Sequence, residues 1–307
     1  KMCYVYEKNG TKYLDLYGGH AVISIGHSHP KYVKALTNQL NNIGFYSNYI
    51  INELQLSVAN EIKIQSNCND YNLFMTNSGA ESNENALQVA SFYTKKSRII
   101  AFKNSFHGRS NAALSITDNH NIKSKLNEEI NVTFLNFNDK KNFKKEISKG
   151  DVCSVIFESI QGVGGLDEPE TEFVKYISKQ CKKYNTCLIA DEVQSGFGRT
   201  GDFFAFQKHD IEPDIICIAK GMGNGFPVGG ILIKDHIKSN YGMLGTTFGG
   251  NHLACTAVLA VLNTIKNENL LQNSKSLENY FREKISLIKS VKKIKGRGLM
   301  LGLEFDF

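Results

Sequence analysis

A lysine at the end of an apolar segment has the most unusual chemical setting in this sequence. Lys220 follows residues 214–219, Asp-Ile-Ile-Cys-Ile-Ala, and precedes residues 221–225, Gly-Met-Gly-Asn-Gly. Lysine side chains are normally exposed, so packing gives no reason to place one at the end of a buried strand. Because desolvation lowers the pKa of an amine, such a lysine is the usual nucleophile of Schiff-base chemistry. The glycines lack the third glycine of a GxGxxG dinucleotide loop, so a Rossmann nucleotide site is not favoured.

An aspartate also ends an apolar segment. Asp191 follows residues 187–190, Cys-Leu-Ile-Ala, where a carboxylate is costly unless a cation pairs with it. A protonated ring nitrogen of a heterocycle is one such cation. The alternative interpretation is an acid that caps the next helix.

Residues 76–82, Thr-Asn-Ser-Gly-Ala-Glu-Ser, open a predicted helix after the apolar residues 73–75. The N–H groups and the positive dipole end of a helix N-terminus attract anions, and Gly79 allows an anion to approach the backbone closely. The alternative is an ordinary helix cap formed by Ser78 or Asn77.

A fourth polar segment follows the predicted strand 98–102. It contains Phe106, His107 and Arg109, and ligands bind at this end of strands in α/β sheets. The fork of an arginine side chain suits a carboxylate, although an ordinary ion pair in a surface loop is the alternative. A phosphate site, an aromatic face, an acid for a pyridine nitrogen and a Schiff-base lysine are together the parts that pyridoxal phosphate requires.

The elements that must position these residues alternate between strands and helices, which predicts an α/β fold. Helices are predicted over 80–96, with Leu87, Ala90 and Tyr93 inward, and over 171–184, with Phe173, Ile177 and Cys181 inward. The predicted strands are continuous apolar segments, typical of a largely parallel sheet covered on both faces. They are residues 98–102, 132–135, 152–157, 187–190, 214–218 and 230–233.

The two ends of the chain follow other patterns. Residues 1–17 predict an antiparallel strand pair around the turn Asn9-Gly10. A helix over 30–43 has an apolar stripe, and so does a helix near the C-terminus, which precedes strands starting at 291 and 299. The stripes are Val33, Leu36, Leu40 and Ile43, and Leu277, Phe281, Ile285 and Ile288. Because Phe307 follows directly on the last predicted strand, which leaves an edge unpaired, we expect the natural protein to be longer.

Composition excludes several classes of function. The 307 residues carry a net charge of +6, yet the basic residues form no platform with aromatic residues, so nucleic-acid binding is not expected. No segment approaches the roughly 18 apolar residues of a membrane span. Seven cysteines without a CxxC pair are typical of reduced thiols in the cytoplasm, and nothing supplies four zinc ligands at suitable spacing.

The sequence resembles the class III (ω-type) aminotransferases of pyridoxal-phosphate fold type I along nearly its whole length. The matching segments include Gly26-His27-Ser28-His29-Pro30, Asn77-Ser78-Gly79-Ala80-Glu81, Phe106-His107-Gly108-Arg109, Asp191-Glu192-Val193-Gln194, Gly198-Arg199-Thr200-Gly201, Ala219-Lys220-Gly221 and Thr247-Phe248-Gly249-Gly250-Asn251. The resemblance implies a central, mostly parallel seven-stranded sheet flanked by helices. It also implies a large cofactor-binding domain over 45–262 and a smaller α+β domain built from 1–44 and 263–307.

The resemblance further implies a role for each matching residue. Lys220 and Asp191 are expected to be catalytic, with Lys220 attached to the cofactor and Asp191 paired with its ring nitrogen. The other residues expected beside the cofactor are Ser78, Gly79, Ala80, Phe106, His107, Glu158, Val193 and Gln194. Thr247 is expected to reach the phosphate of a neighbouring subunit, which implies a homodimer with shared active sites.

The implied reaction transfers the δ-amino group of N-acetylornithine or N-succinylornithine to 2-oxoglutarate, in arginine biosynthesis. Arg109 and Thr246 are expected to contact the substrate. His20 replaces a usually apolar residue and is interpreted either as a contact for a succinyl carboxylate or as a loop histidine. Val163 replaces a usual glutamate, which leaves the handling of 2-oxoglutarate open. The alternatives are ornithine or GABA as the donor, or a catalytically inactive relative that still binds the cofactor.

Overall fold

The computed structural model describes residues 1–306, so Phe307 lies outside the described residues. Its centre is a seven-stranded sheet. The strands are β3 (Tyr71–Thr76), β4 (Arg98–Phe102), β5 (Val132–Leu135), β6 (Val152–Glu158), β7 (Cys187–Asp191), β8 (Ile215–Ile218) and β9 (Gly229–Lys234). Their order is β3-β9-β8-β7-β6-β4-β5.

Strand direction agrees with the predicted, mostly parallel sheet. Neighbours from β8 through β5 run parallel, and β9 alone is antiparallel to its neighbours β8 and β3. Every residue of β4, β6, β7 and β8 is buried, which explains why these strands are continuously apolar. The six predicted strands are confirmed to within one residue at each end. The seventh, β3, was not predicted, because its edge position leaves Asn72 exposed and interrupts the apolar pattern.

The helices flank this sheet and continue toward both ends of the chain. They are α1 (Gly18–Ala21), α2 (Pro30–Asn42), α3 (Glu53–Ser66), α4 (Gly79–Thr94), α5 (Asn111–Ser115), α6 (Lys140–Ile147), α7 (Thr171–Lys183), α8 (His252–Asn267) and α9 (Leu270–Ile285). The inward residues predicted for α7 are buried, as are Leu87 and Ala90 of α4. Tyr93 was predicted to face inward but is 41% exposed, because it lies in the last turn of α4.

Most of the apolar stripe predicted for α2 is exposed within this chain. Leu40 is 64% exposed, and Val33 and Ile43 are also exposed, whereas Leu36 is half-buried against the core. Tyr32 is the buried residue of α2, and its hydroxyl donates to the carbonyl oxygen of Gly223 (2.7 Å). Periodicity shows that a stripe exists but not what covers it.

Two small antiparallel sheets lie outside the central sheet. β1 (Tyr4–Tyr6) pairs with β2 (Lys12–Leu14), and β10 (Val291–Arg297) pairs with β11 (Met300–Phe305), which confirms both predicted strand pairs. The C-terminal stripe was predicted less well, since Leu277 and Ile288 are both exposed. The domain division stays a prediction, and its boundary at 262/263 falls inside α8.

No helix within residues 1–306 is both long enough and apolar enough to cross a bilayer.

Candidate active site

Residues beyond the carboxyl ends of β6, β7 and β8 line a cleft of about 440 Å³. Glu158 ends β6, Asp191 ends β7, and Lys220 follows two residues after β8. Because parallel strands end at the same edge of the sheet, residues far apart in sequence meet there. The first turn of α4 and the loop after β4 also line the cleft.

Lys220 begins a short 3₁₀ turn, Lys220–Met222. Its φ of 47° lies in the left-handed region, which residues other than glycine rarely adopt and which is found at functional sites. Burial lowers the pKa of the Lys220 amine, against the opposing charges of Asp191 and Glu158. The amine is therefore neutral in a larger fraction of molecules than an exposed lysine would be, which suits a nucleophile.

Asp191 is held by three hydrogen bonds and is 5% exposed. Its Oδ2 accepts from Nδ1 of His107 (2.6 Å) and from Nδ2 of Asn83 (2.8 Å). Its Oδ1 accepts from the backbone N–H of Val193 (3.0 Å). A carboxylate oxygen has two lone pairs, so Oδ1 keeps capacity for one further donor at the wall of the cleft.

His107 contacts Asp191 from the loop after β4. Burial lowers the pKa of its imidazole, but the hydrogen bond and the charge of Asp191 outweigh burial, so the pKa is raised. Its other ring nitrogen, Nε2, is buried and has no hydrogen-bond partner among residues 1–306. The hydrogen bond from Nδ1 therefore helps to fix the orientation of the Asp191 carboxyl group.

Glu158 is a second buried carboxyl group in the cleft. Its oxygens accept the backbone N–H groups of Phe106 and Gly162, both at 3.0 Å. Burial raises its pKa from the ordinary value of 4.5 to about 7; the charge of Asp191 adds to this rise, and that of His107 opposes it. Glu158 thus connects the loops after β4 and β6 through these two hydrogen bonds. Its carboxyl group ionises near neutral pH.

The first turn of α4 combines a cap with an anion site. Ser78 is the N-cap, and its Oγ accepts from the backbone N–H of Glu81 (3.1 Å). The N–H groups of Gly79 and Ala80 lie where a helix offers no intrahelical acceptor, so they suit a phosphate. A Cβ on Gly79 would lie 2.6 Å from Cγ1 of Val193, so only glycine permits this approach.

The remaining residues predicted beside the cofactor also line the cleft. They are Phe106, Val193 and Gln194, on the loops that follow β4 and β7. Arg109 lies at the exposed side of the same cleft, and among residues 1–306 it has no carboxylate within ion-pair distance. Its guanidinium is therefore available to a substrate carboxylate.

Three predicted residues lie outside this cleft. Thr246 and Thr247 line a separate cavity of about 1020 Å³, although Asn77 borders both and donates from Nδ2 to Oγ1 of Thr246 (3.3 Å). His20 is exposed, its ring contacts the hydroxyl of Tyr17, and its neighbour Val22 lines the cleft instead. Their roles toward substrate or a neighbouring subunit stay predictions.

Sequence reasoning missed some residues of the site. Asn83 contacts Asp191 directly, and Phe226, Pro227 and Val228 line the cleft after the glycine-rich turn. The helical spacing of four residues from Gly79 places Asn83 on the same face of α4 and could have found it. No local pattern marks residues 226–228, which line the cleft because of the path that the chain takes after the glycine-rich turn.

Comparison with known proteins gives a consistent result. A family model described as aminotransferase class III matches residues 1–306. The chain belongs to the class III aminotransferases. It is 39% identical to the acetylornithine aminotransferase of Bacillus subtilis, covering 100% of this chain and 80% of the relative. It is 38% identical to that of Archaeoglobus fulgidus, covering 98% and 80%.

Solved structures of aminotransferases show the same fold. The ornithine aminotransferase of Toxoplasma gondii superposes with a TM-score of 0.91 at 26% identity, covering 100% of this chain and 76% of that one. A taurine:2-oxoglutarate aminotransferase from Bifidobacterium kashiwanohense, in complex with PLP and glutamate, superposes with a TM-score of 0.89 at 23% identity and covers 99% and 76%. The predicted fold type I is confirmed.

Pyridoxal 5′-phosphate is the cofactor of this class III aminotransferase, as predicted. The residues of the cleft fit it. A helix N-terminus suits the phosphate, a desolvated amine suits the aldehyde, and a carboxylate supported by His107 suits a ring nitrogen that carries a proton. The chain is therefore an enzyme whose substrates are amino acids and keto acids.

Proposed function

We propose that this enzyme transfers the δ-amino group of N-acetylornithine to 2-oxoglutarate, giving N-acetylglutamate semialdehyde and glutamate in arginine biosynthesis. The observation that carries the proposal is the identity of 37–39% to acetylornithine aminotransferases along almost the whole chain. The cleft supports it, since it unites Lys220, Asp191 and the free guanidinium of Arg109. N-Succinylornithine is the second candidate donor, because His20 lies two residues before Val22 of the cleft wall and its ring suits an additional carboxylate.

The proposed roles follow from the chemistry of each side chain. Bound pyridoxal phosphate supplies an aldehyde carbon that accepts amines and a cationic ring that withdraws electrons. Lys220 would hold the aldehyde carbon of the bound cofactor. The amine of Lys220 would also serve as the general base and acid at the δ-carbon of the substrate, a role worth about 10²–10⁴-fold in rate. Asp191 would pair with the ring nitrogen, and Arg109 would bind a carboxylate of the substrate.

The other cleft residues bind and orient. Gly79 and Ala80 donate backbone N–H groups to the phosphate, next to Ser78 at the helix cap. Phe106 and Val193 would hold the two faces of the ring, and Gln194 would bind its hydroxyl group. We propose that Glu158, bonded to the backbone of Phe106, keeps that aromatic ring in place.

A panel of amine donors tests the substrate. Acetylornithine, succinylornithine, ornithine and GABA are each supplied with 2-oxoglutarate, and glutamate formation is measured. We expect the highest kcat/KM with acetylornithine. A preference for ornithine or GABA, or no activity with any donor, would overturn the proposal. A His20→Ala variant that loses activity with succinylornithine alone would assign the succinyl carboxylate to His20, and an unchanged preference would exclude that role.

The proposal includes a homodimer with shared sites. Tyr49 is 94% exposed and Ile51 is 82% exposed, and both lie near the uncovered stripe of α2 in sequence. Thr247 borders the same large cavity as Phe45 and Tyr49. An apolar surface of this kind is typical of a subunit interface.

Mixed dimers test whether Thr247 serves a neighbouring site. Lys220→Ala and Thr247→Ala subunits are each weakly active or inactive alone, but a mixed dimer contains one site with both residues intact. We expect activity to rise when the two variants are mixed after reversible dissociation. No rise, while light scattering shows mixed dimers, would exclude sharing of Thr247 between subunits.

A further inference from the structure

Asn83 joins three elements of the active site with a single amide group. It lies on α4 and is 1% exposed. Its Nδ2 donates to Oδ2 of Asp191 (2.8 Å) and to the carbonyl oxygen of His107 (2.7 Å). Both partners accept hydrogen bonds, so the nitrogen of the amide must be the atom that faces them. Helix α4, the end of β7 and the loop after β4 therefore meet at this side chain.

Packing alone does not explain an asparagine at this position. Its Oδ1 is buried and has no hydrogen-bond partner among residues 1–306. An apolar residue would avoid that unsatisfied carbonyl group, but it would remove the donor to the carbonyl oxygen of His107 and to Asp191. The two donor contacts are therefore the reason for the amide.

The same helix carries the phosphate-binding turn. Gly79 and Asn83 are four residues apart on α4, which corresponds to a rise of about 6 Å along one face. The loop after β4 also contacts this turn, because a Cβ on Gly108 would lie 2.7 Å from Cβ of Ala80. One rigid turn thus connects the N–H groups of Gly79 and Ala80 with the carboxylate of Asp191.

We propose that Asn83 is a positioning residue that sets the orientation of the Asp191 carboxylate relative to the phosphate-binding turn of α4. The inference rests on the proposed function of this cleft. Asn83 and His107 occupy Oδ2 of Asp191, so the remaining capacity of Oδ1 would be available to the ring nitrogen of the cofactor. A rigid cofactor needs this spacing, since a misplacement of about 1 Å costs on the order of 10²-fold in rate.

A first experiment needs no cofactor. Asn83→Asp keeps the shape of the side chain but places a carboxylate oxygen where Nδ2 now lies 2.8 Å from Oδ2 of Asp191. Asn83→Ala removes the contact without adding charge. In the cofactor-free protein, we expect Asn83→Asp to have the lower Tm of the two, by a margin that grows as pH rises from about 5 to about 8, because ionised carboxylates repel. A packing role predicts the reverse order at every pH, and that result would overturn the proposal.

A second experiment uses the holoenzyme. With a ¹⁵N-labelled ring nitrogen, we expect the proton to be lost at lower pH in Asn83→Ala than in the wild type. We also expect kcat to fall about 10- to 100-fold, the effect of one hydrogen bond to a charged group, with a smaller change in KM. Asn85→Ala is the matched control, since within residues 1–306 Nδ2 of Asn85 donates only to the carbonyl oxygen of Glu81 on the same helix (2.7 Å).

The outcomes separate this inference from the proposed function. Unchanged ring-nitrogen titration and kcat in Asn83→Ala, with an active wild type, would overturn the positioning role alone. Equal losses in Asn83→Ala and Asn85→Ala without a change in titration would also overturn it. An inactive wild type across the donor panel would overturn the proposed function instead, and the Tm experiment would still test Asn83.

Discussion

Glu158 lies directly opposite Asp191 where β6 and β7 end side by side. Both side chains line the cleft. The residues that follow them, Ser159 and Glu192, contact each other, since Oγ of Ser159 donates to Oε1 of Glu192 (3.1 Å). Successive residues of a strand face opposite sides of a sheet. The buried pair of Ser159 and Glu192 therefore lies on the opposite side of the sheet from the two acids of the cleft. Glu158 accepts hydrogen bonds from backbone N–H groups, whereas Asp191 also accepts from the side chains of His107 and Asn83.

Asp191 is expected to be essential for turnover. In Asp191→Ala the ring nitrogen loses its carboxylate, and we expect kcat to fall about 10³-fold or more, a loss typical of removed electrostatic stabilisation. Steady-state kinetics at saturating cofactor measure it. Asp191→Asn is the control of similar shape, and it should be impaired to a similar extent. Turnover near the wild-type rate in either variant would contradict the role of Asp191.

Glu158 is expected to make stability depend on pH. Its folded-state pKa of about 7 is above the ordinary 4.5, so the folded state holds the proton more tightly than the unfolded state. The stabilisation from the neutral carboxyl group is complete below about pH 4.5 and is lost as pH rises to about 7. In urea unfolding of the cofactor-free proteins, the free energy of unfolding of Glu158→Gln relative to that of the wild type should increase as the pH rises across this interval. Parallel stability curves would contradict the prediction.

Lys220 is expected to be the residue that binds the cofactor covalently. Borohydride reduction of the holoenzyme should attach the cofactor to the peptide that contains Lys220, as detected by mass spectrometry. Lys220→Ala should abolish attachment and lower kcat by about 10⁴-fold, because the amine is also the proton carrier. Lys234→Ala, a control outside the cleft, should retain both properties. Attachment at another lysine would refute the assignment.

Gly79 is expected to tolerate no side chain. Gly79→Ala places a methyl group 2.6 Å from Cγ1 of Val193, and the resulting overpacking of about 1–3 kcal/mol should weaken cofactor binding by about 5- to 150-fold. Equilibrium dialysis of the cofactor measures the change in Kd. The double variant Gly79→Ala, Val193→Ala removes the clash and should regain part of the affinity. No difference between the single and double variants would exclude this contact as the cause.

The turn formed by α1 is expected to contain removable strain. Ala21 has a φ of 58°, and its carbonyl oxygen accepts from Nη2 of Arg199 (2.9 Å). Because glycine adopts left-handed angles freely, Ala21→Gly should raise the free energy of unfolding by about 0.5–1 kcal/mol. Ala35→Gly in the right-handed helix α2 is the matched control and should lower it by about 1 kcal/mol. Destabilisation by both variants would show that Ala21 is not strained.

The chemistry of the site was determined largely by the sequence itself. Asp191 ends a continuous apolar strand and Lys220 follows another by two residues, and continuous apolar strands favour a largely parallel sheet. Ends of parallel strands meet at one edge, so their functional residues could be assigned to one cleft before any coordinates were known. Gly79 was predictable for a similar local reason, since a helix N-terminus binds anions whatever surrounds it.

Contacts between distant segments were decided only by the tertiary structure. The apolar stripe of α2 was visible in the sequence, yet its exposure depends on which elements pack nearby. The spacing from Gly79 places Asn83 on the same face of α4, but its contact with Asp191 exists only because α4 crosses the end of β7. Local patterns follow from backbone geometry and burial, whereas the partner of a side chain is set by packing over long separations.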